Sequence, residues 1–147
     1  MGAGGKRAEA LQPLSRDHLR ALLTAKALKE ATDAGEARRR FLEFWQGGGA
    51  RHFRVEEEVL LPWWARYAEV DREGVARMLE EHLEMRRQAL RLEAGEGSLD
   101  ELRGLGALLH DHVRFEERRL FPAIEGALDA DQLARLVPAV LEAEARG

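Results

Sequence analysis

Two segments of the chain repeat one pattern, a histidine followed four residues later by a glutamate. HFRVEEEVLLP begins at His52 and HVRFEERRLFP begins at His112; they align without gaps and share six of their eleven residues. The glutamates of the pattern are Glu56 and Glu116. Because residues four positions apart lie on the same face of a helix, each segment can present an imidazole and a carboxylate to one site.

The helix predicted before each copy carries a further histidine in a second matching fragment. Residues 17–19 read DHL and residues 81–83 read EHL, which places His18 and His82 at corresponding positions. The first half of the chain therefore resembles the second at an offset of about 60 residues. Two such hairpins have an approximate two-fold axis when they pack together, and the side chains that they turn inward meet near it.

Each of these histidines falls within the apolar stripe of its own helix, so the pattern predicts four imidazoles and two carboxylates in the core. A buried carboxylate is costly unless it is paired or bound to a metal, and no basic residue shares this face in register. Hydrogen-bonded core histidines are the alternative reading. The matched positions favour a metal site, whose predicted ligands are His18, His52, Glu56, His82, His112 and Glu116.

The chemistry of these ligands favours a pair of iron or manganese ions. The chain has no cysteine, which excludes thiolate zinc sites, cysteine-bound iron–sulfur clusters and disulfides. About six nitrogen and oxygen ligands suit iron or manganese better than structural zinc. A ferritin-like site would need Glu-x-x-His, and no glutamate lies three residues before any of the five histidines. The HExxH pattern of zinc proteases is also absent.

The elements that must position these residues are helices, because alanine, leucine, glutamate and arginine dominate the chain. Helices are predicted over about 13–31, 36–61, 71–93, 98–122 and 129–145. Glycines 47–49 predict a kink or weak turn, and Pro62 predicts a helix end or kink. We expect an all-α, up-down-up-down four-helix bundle with an additional C-terminal helix. It would be a single domain over residues 13–147, preceded by a flexible N-terminal segment over residues 1–12.

The length and the charge of the chain limit the classes of partner that it is expected to bind. The chain has 147 residues, a formal net charge of −4 and a pI near 5.8, which gives no indication of nucleic-acid binding. No apolar run approaches the roughly 18 residues of a membrane span, and the first residues lack the apolar core of a secretory signal. We expect a cytoplasmic protein, monomeric or homodimeric, with no nucleic-acid or membrane partner.

The order His, His-x-x-x-Glu, His, His-x-x-x-Glu resembles the hemerythrin-like, or HHE cation-binding, family over about residues 14–125. The resemblance implies a hemerythrin-like bundle around a non-haem di-iron centre, with manganese or zinc as substitutes for iron. By position, His18 and His52 would hold one iron. The other would be held by the corresponding histidines of the second hairpin. An oxo or hydroxo group would bridge the ions together with two carboxylates, those of Glu56 and Glu116.

One departure from the family pattern bears on function. Oxygen-carrying hemerythrins have a second histidine one turn after the third-helix ligand, and this chain has Arg86 there. An ion with one imidazole fewer has an open position. The resemblance therefore implies binding of O2, nitric oxide or peroxide, for sensing, scavenging or iron handling. Two alternatives remain: a di-iron redox enzyme with peroxidase-like or nitric-oxide-reducing activity, and a metal-free structural helical module.

Three further residues near the pattern have open roles. His110 lies about 200° around the helix from His112, so we expect it to face solvent. Glu57 and Glu117 directly follow the two ligand glutamates. Each either accepts a hydrogen bond from the outer N–H of a ligand imidazole or is a solvated or ion-paired surface residue.

Overall fold

The computed structural model describes residues 6–146. This part of the chain contains five helices and no strand. The predicted all-α fold and its additional C-terminal helix are confirmed. Each helix within this range is too short or too polar to traverse a bilayer. The helices are α1 at Gln12–Lys29, α2 at 34–67, α3 at Arg72–Glu93, α4 at 99–127 and α5 at Ala130–Arg146.

Polar caps begin α3 and α4 at the predicted first residues, 71 and 98. The carboxylate of Asp71 accepts a hydrogen bond from the backbone N–H of Gly74 at 3.0 Å, at the start of α3. Ser98 and Glu101 form a reciprocal capping box at the start of α4. These caps satisfy backbone donors that have no partner within the helix, so the helix starts are fixed locally.

The first four helices run alternately up and down. Helix α1 is antiparallel to α4, since Ser15 contacts Glu117 near one end and Arg103 donates to the carbonyl of Ala31 at the other. Helix α2 packs against α1 and α3, and α3 packs against α4. The connections between these four helices are only four or five residues long, which makes neighbours antiparallel.

Two wide π-helical turns interrupt the ligand-bearing helices at equivalent places. They span Glu56–Leu60 in α2 and Glu116–Leu120 in α4, two residues before Pro62 and Pro122. Proline lacks a backbone N–H, and its ring clashes with the carbonyl four residues earlier in a regular α-helix. The wide turn accommodates the proline, so α2 continues to Tyr67, and the predicted end at residue 61 is corrected.

The wide turn also changes which residues of α2 face the core. Regular helical spacing from His52 predicts that Val59 and Trp63 are buried. In the structure both are only half-buried, whereas Leu60 and Trp64 are 1 % and 2 % exposed. A π turn contains one residue more than an α turn, and this extra residue advances the buried face by one position.

A third π turn, Trp45–Gly49, lies where the sequence predicts a kink, and regular helix resumes at Ala50. Gly48 has φ of 143°, a backbone conformation that residues with a Cβ rarely adopt. The glycine run therefore provides a geometry that other residues could not hold without strain.

The apolar core consists of two clusters. One lies towards the loop between α1 and α2 and contains Phe41, Phe53 and Leu105. The other contains Trp64 and Phe121 and is covered by α5. The predicted ligand residues belong to neither cluster and lie between them.

Residues 7–11, which precede the predicted domain start at residue 13, are part of the folded bundle. Glu9–Leu11 form a 3-10 turn, and Ala10 and Leu11 are 2 % and 0 % exposed. Arg7 forms ion pairs with Glu117 and Glu125. Residues 7–11 of the segment predicted as flexible therefore pack on the bundle, because their apolar side chains complete the core beneath α5. The prediction for residues 1–5 lies outside the described residues.

Candidate metal centre

The structure brings the six predicted ligand residues together inside the bundle. Helices α1 and α3 each contribute a histidine, and α2 and α4 each contribute a histidine and a glutamate one turn apart. Every one of these side chains is between 0 % and 5 % exposed. The residues are His18, His52, Glu56, His82, His112 and Glu116.

The six side chains form two overlapping groups that share both glutamates, and in each group the candidate ligand atoms lie within 4.8 Å of one another. The carboxylate of Glu56 lies 3.0 Å from Nε2 of His52 and 3.2 Å from Nε2 of His82. The carboxylate of Glu116 lies 2.8 Å and 3.0 Å from the Nε2 atoms of the other two histidines. Each carboxylate therefore spans the two groups, as a ligand shared by two ions would.

Most of the atoms that face the centre of this cluster lack a hydrogen bond. Nε2 of His18 and Oε1 of Glu116 pair at 2.8 Å. Within the described residues, the other imidazole and carboxylate atoms facing the centre are buried without a hydrogen-bond partner. Buried polar atoms without partners are costly. Four nitrogens and four oxygens that converge in this way fit divalent transition-metal ions.

Outer carboxylates fix the orientation of the imidazoles. Glu57 lies 2.6 Å from Nδ1 of His82, and Glu117 lies 2.6 Å from Nδ1 of His18. Both glutamates thus make the contact to a ligand imidazole that the sequence left open. A carboxylate only accepts hydrogen bonds, so Nδ1 carries the proton and donates it, and the other ring nitrogen faces the cluster.

Two more outer carboxylates were not anticipated from the sequence. Asp17 lies 3.0 Å from Nδ1 of His52, and Glu81 lies 2.8 Å from Nδ1 of His112. Each of them directly precedes a ligand histidine but serves the histidine of the neighbouring helix. The repeated DHL and EHL fragments are the sequence signal for these two outer carboxylates, because both place an acidic residue before a buried histidine.

Arginines in turn hold three of the four outer carboxylates, each at 2.9 Å. Arg86, which occupies the position of the missing fifth histidine, is one of them and is directed at Glu57 rather than at the cluster. Its guanidinium therefore supports the carboxylate that orients His82. The pairs are Arg7–Glu117, Arg77–Glu81 and Arg86–Glu57.

The fourth outer carboxylate has an acidic neighbour. Carboxylate or imidazole atoms of Asp17, His52 and Glu144 lie within 4.8 Å of one another, and Glu144 comes from α5. Burial and the adjacent charge of Asp17 raise the pKa of Glu144. His52 thus differs from the other three histidines of the cluster. Its outer carboxylate lies beside a second carboxylate, whereas theirs each pair with an arginine.

Electrostatics within the metal-free cluster favour protons on the imidazoles. Burial lowers the pKa of His82, but the carboxylates of Glu116, Glu56 and Glu57 outweigh it and raise that pKa to about 10. For His112, burial is likewise outweighed by its carboxylate neighbours, and the pKa rises to about 9. In the metal-free protein, these protons supply positive charge beside the carboxylates, as a metal ion would. Protons and metal ions therefore compete for the same nitrogens.

Aromatic rings close the cluster from the sides. Phe53 stacks on His82 with ring centroids 3.8 Å apart, and Phe121 stacks on His18 at 5.3 Å. These rings limit the contact of the imidazoles with water. His110 lies outside the cluster: it is partly exposed and contacts Asp111 at 3.2 Å.

Comparison with known proteins gives one family match. The family model described as hemerythrin HHE cation binding domain matches residues 10–124. This range contains the four bundle helices up to the last turn of α4 and all six residues of the cluster. No significant match was found among curated proteins or among solved structures.

Proposed function

Because this chain belongs to the hemerythrin HHE cation-binding domain family, we propose that its buried cluster holds two iron ions that bind a small ligand. The ligand would be O2, nitric oxide or peroxide, bound for sensing, scavenging or iron handling. His18 and His52 would hold one ion, and the two histidines of the second hairpin would hold the other. Glu56 and Glu116 would be shared by both ions.

The observation that carries this proposal is the set of buried nitrogen and oxygen atoms without hydrogen-bond partners. A metal-free structural module would pair its buried polar groups with one another, as most folded proteins do. Here the shared carboxylates approach two histidines each, yet most of these contacts lack hydrogen-bond geometry. Two divalent cations would take these atoms as ligands and would more than neutralise the two buried carboxylates.

The protein residues position and isolate the ions. The four outer carboxylates hold each imidazole with its Nε2 directed inward, and the aromatic rings exclude water. Bound iron would supply the affinity for a small ligand and the capacity for electron transfer. Manganese or zinc would fit the same nitrogen and oxygen donors.

A second candidate function is that of a di-iron redox enzyme. The observation in its favour is that Arg86 pairs with Glu57 and offers no ligand atom to the cluster. A site with four histidines leaves a coordination position open to peroxide or nitric oxide. Repeated turnover of either molecule, with an external reductant resupplying the electrons, would favour this candidate, whereas a single stoichiometric oxidation under the same conditions would contradict it.

Metal analysis together with visible spectroscopy tests the proposal. Protein purified without chelator and protein reconstituted with ferrous iron are analysed for iron, and spectra are recorded before and after O2 meets the reduced form. We expect two iron ions per chain and a spectral change on oxygenation. Iron that stays at trace levels in every preparation would contradict the proposal. A change that reverses on degassing would identify reversible oxygen binding.

A further inference from the structure

The two-fold repeat of the cluster is broken one turn before the first ligand of each pattern. When the two segments are aligned, the residue three positions before His52 is Gly49, and the residue three positions before His112 is Leu109. Leu109 is 1 % exposed and fills its position in a regular stretch of α4. Gly49 has no side chain and ends the π turn of α2.

A small cavity lies beside Gly49. Its volume is about 20 Å³, and its walls include the ring of Phe44, the side chain of Leu109 and three imidazoles of the cluster. Those imidazoles belong to His18, His52 and His112. The cavity therefore adjoins both the glycine turn and the cluster, and Gly49 and Leu109 both line it.

A side chain at Gly49 could not be accommodated without movement of this wall. A Cβ placed there would lie 2.8 Å from Cε2 of Phe44 and 3.2 Å from its backbone oxygen. Real Cβ atoms essentially never approach another heavy atom to 2.8 Å. The ring of Phe44, a residue of the preceding helical stretch, thus depends on glycine for its place beside the cavity.

Arg20 lies at the solvent side of the same turn. It lines the cavity, is itself exposed, and donates a hydrogen bond to the carbonyl of Gly47 at 3.2 Å. This long side chain holds the glycine turn from the adjacent helix. Because it is exposed and also lines the cavity, Arg20 lies between the cavity and solvent.

We propose that this cavity, the Gly49 cavity, is a docking chamber for an uncharged diatomic molecule on its way to the cluster. Its walls are mostly carbon, so it offers few of the two to four polar partners that a buried water needs. A volume of about 20 Å³ exceeds the roughly 10–15 Å³ that one water-sized molecule needs in a cavity, so the chamber admits a single small molecule. Delivery to bound metal rests on the proposed function, whereas occupancy of the chamber does not.

Xenon tests the chamber on the metal-free chain of 147 residues, because xenon occupies apolar cavities and its binding is measured without any activity. Methyl NMR spectra are recorded under increasing xenon pressure. We expect saturable shifts at the methyl groups that line the chamber, those of Ala21, Leu109 and Val113. The shifts are expected to vanish in Gly49→Ala and to persist in Gly104→Ala, an exposed helical glycine of α4 whose added Cβ has open space.

A second pair of variants keeps the test decisive if Gly49→Ala does not fold. Ala21→Val adds carbon to the chamber from α1 and should abolish the shifts, whereas Leu109→Ala enlarges the chamber and should preserve xenon binding. Shifts that are absent in the native chain would overturn the proposal. Shifts that are equal in the native, Gly49→Ala and Ala21→Val chains would overturn it as well.

The role in delivery is measured on iron-loaded protein by stopped-flow mixing with nitric oxide and, separately, with O2. Since one added carbon in a small apolar pocket changes discrimination by about tenfold or more, we expect Gly49→Ala to slow the reaction with at least one gas by about tenfold. The gas affected is the one that uses the chamber. Unchanged rates with both gases would overturn the delivery role. Xenon binding without iron binding would instead contradict the proposed function alone.

Discussion

At the scale of single residues, three of the four imidazoles are held by the same sequence of contacts. Nδ1 donates to an outer carboxylate, and that carboxylate accepts from an arginine. Arg86 belongs to one such sequence, so the residue that replaces a fifth histidine supports His82 indirectly. The arrangement leaves Nε2 of each ring free for the cluster, which is the nitrogen a metal would take.

Replacing Glu56 or Glu116 by alanine should abolish binding of the second metal ion, because each carboxylate is proposed to be shared by both ions. Elemental analysis of reconstituted protein, normalised to protein concentration, measures the stoichiometry. Glu58→Ala alters an exposed glutamate of the same turn and His110→Ala removes the histidine outside the cluster. Both controls should retain two ions; loss of an ion in His110→Ala would identify His110 as a ligand.

Replacing Glu57 by glutamine should lower metal affinity by about 10–100-fold, the usual cost of losing a carboxylate behind a ligand imidazole. The amide no longer carries the charge that holds His82 and pairs with Arg86. Competition titration with a chromophoric chelator measures the affinity. Glu58→Gln, the adjacent exposed position, should match the native chain. Equal affinities of the two variants would show that the contact at 2.6 Å does not orient the imidazole.

At the scale of helices, the wide turns that begin at Glu56 and Glu116 are the feature that regular spacing misses. Each starts at a shared carboxylate and precedes a proline, so the ligand helices widen where they approach the cluster. The extra residue moves Leu60 into the core in place of Val59. The close packing of α1 on α4 is a second feature at this scale. It depends on Gly106, which lets the two backbones approach closely.

Gly106→Ala should destabilise the bundle although alanine is the better helix former. A Cβ there would lie 2.8 Å from the carbonyl oxygen of Ala25 and 2.8 Å from Cβ of Leu28, so α1 would have to move away from α4. Overpacking of this kind lowers the free energy of unfolding by about 1–3 kcal/mol. Urea denaturation measures it.

The matched control lies on the same helix. Gly104→Ala places its Cβ in open space within the described part of the chain, and it should raise the free energy of unfolding by about 1 kcal/mol through helix propensity alone. If both variants gained stability equally, the close approach of α1 and α4 would not depend on Gly106.

At the scale of the whole molecule, a polar cluster divides the apolar core into two parts. The first hairpin and the second contribute equally to this cluster, yet their surroundings differ. The glycine turn opens a cavity on the side of the first hairpin, and α5 brings Glu144 close to Asp17 and His52. The two halves of the cluster therefore have similar ligands and different surroundings.

Metal-free protein should lose stability as pH rises from about 6.5 to about 10, the span between the ordinary and the raised pKa of His82. The stabilisation from the protonated imidazole is complete below 6.5 and disappears as the folded pKa is passed. His112, with its pKa raised to about 9, acts in the same direction. Melting temperatures measured across this range test the prediction.

Metal-loaded protein provides the comparison for the same pH range. A ligand nitrogen bound to metal has no proton to lose, so the loaded protein should keep its melting temperature between these pH values. Metal affinity should rise with pH in the same interval, because protons and metal ions compete. A metal-free melting temperature that stayed constant or rose would contradict the raised histidine pKa values.

The sequence by itself determined the fold class, the starts of α3 and α4, and the six residues of the cluster. These follow from near neighbours in the chain: the spacing of His52 and Glu56 places them on one face, and Ser98 with Glu101 caps its own helix. The internal repeat then indicated that the two patterns face each other. Such information lies within one segment of the chain or is repeated in two segments, so it can be found without knowing how the helices pack.

Only the tertiary structure decided which groups meet across helices. Asp17 contacts His52 rather than its neighbour His18, and Arg86 reaches Glu57, because helix register sets these pairs. The wide turns likewise depend on how a helix accommodates a proline. The cavity at Gly49 depends on where the ring of Phe44 packs. Spacing along one helix fixes the face of a residue, but the partner on that face is set by the relative position of two helices, which no single segment encodes.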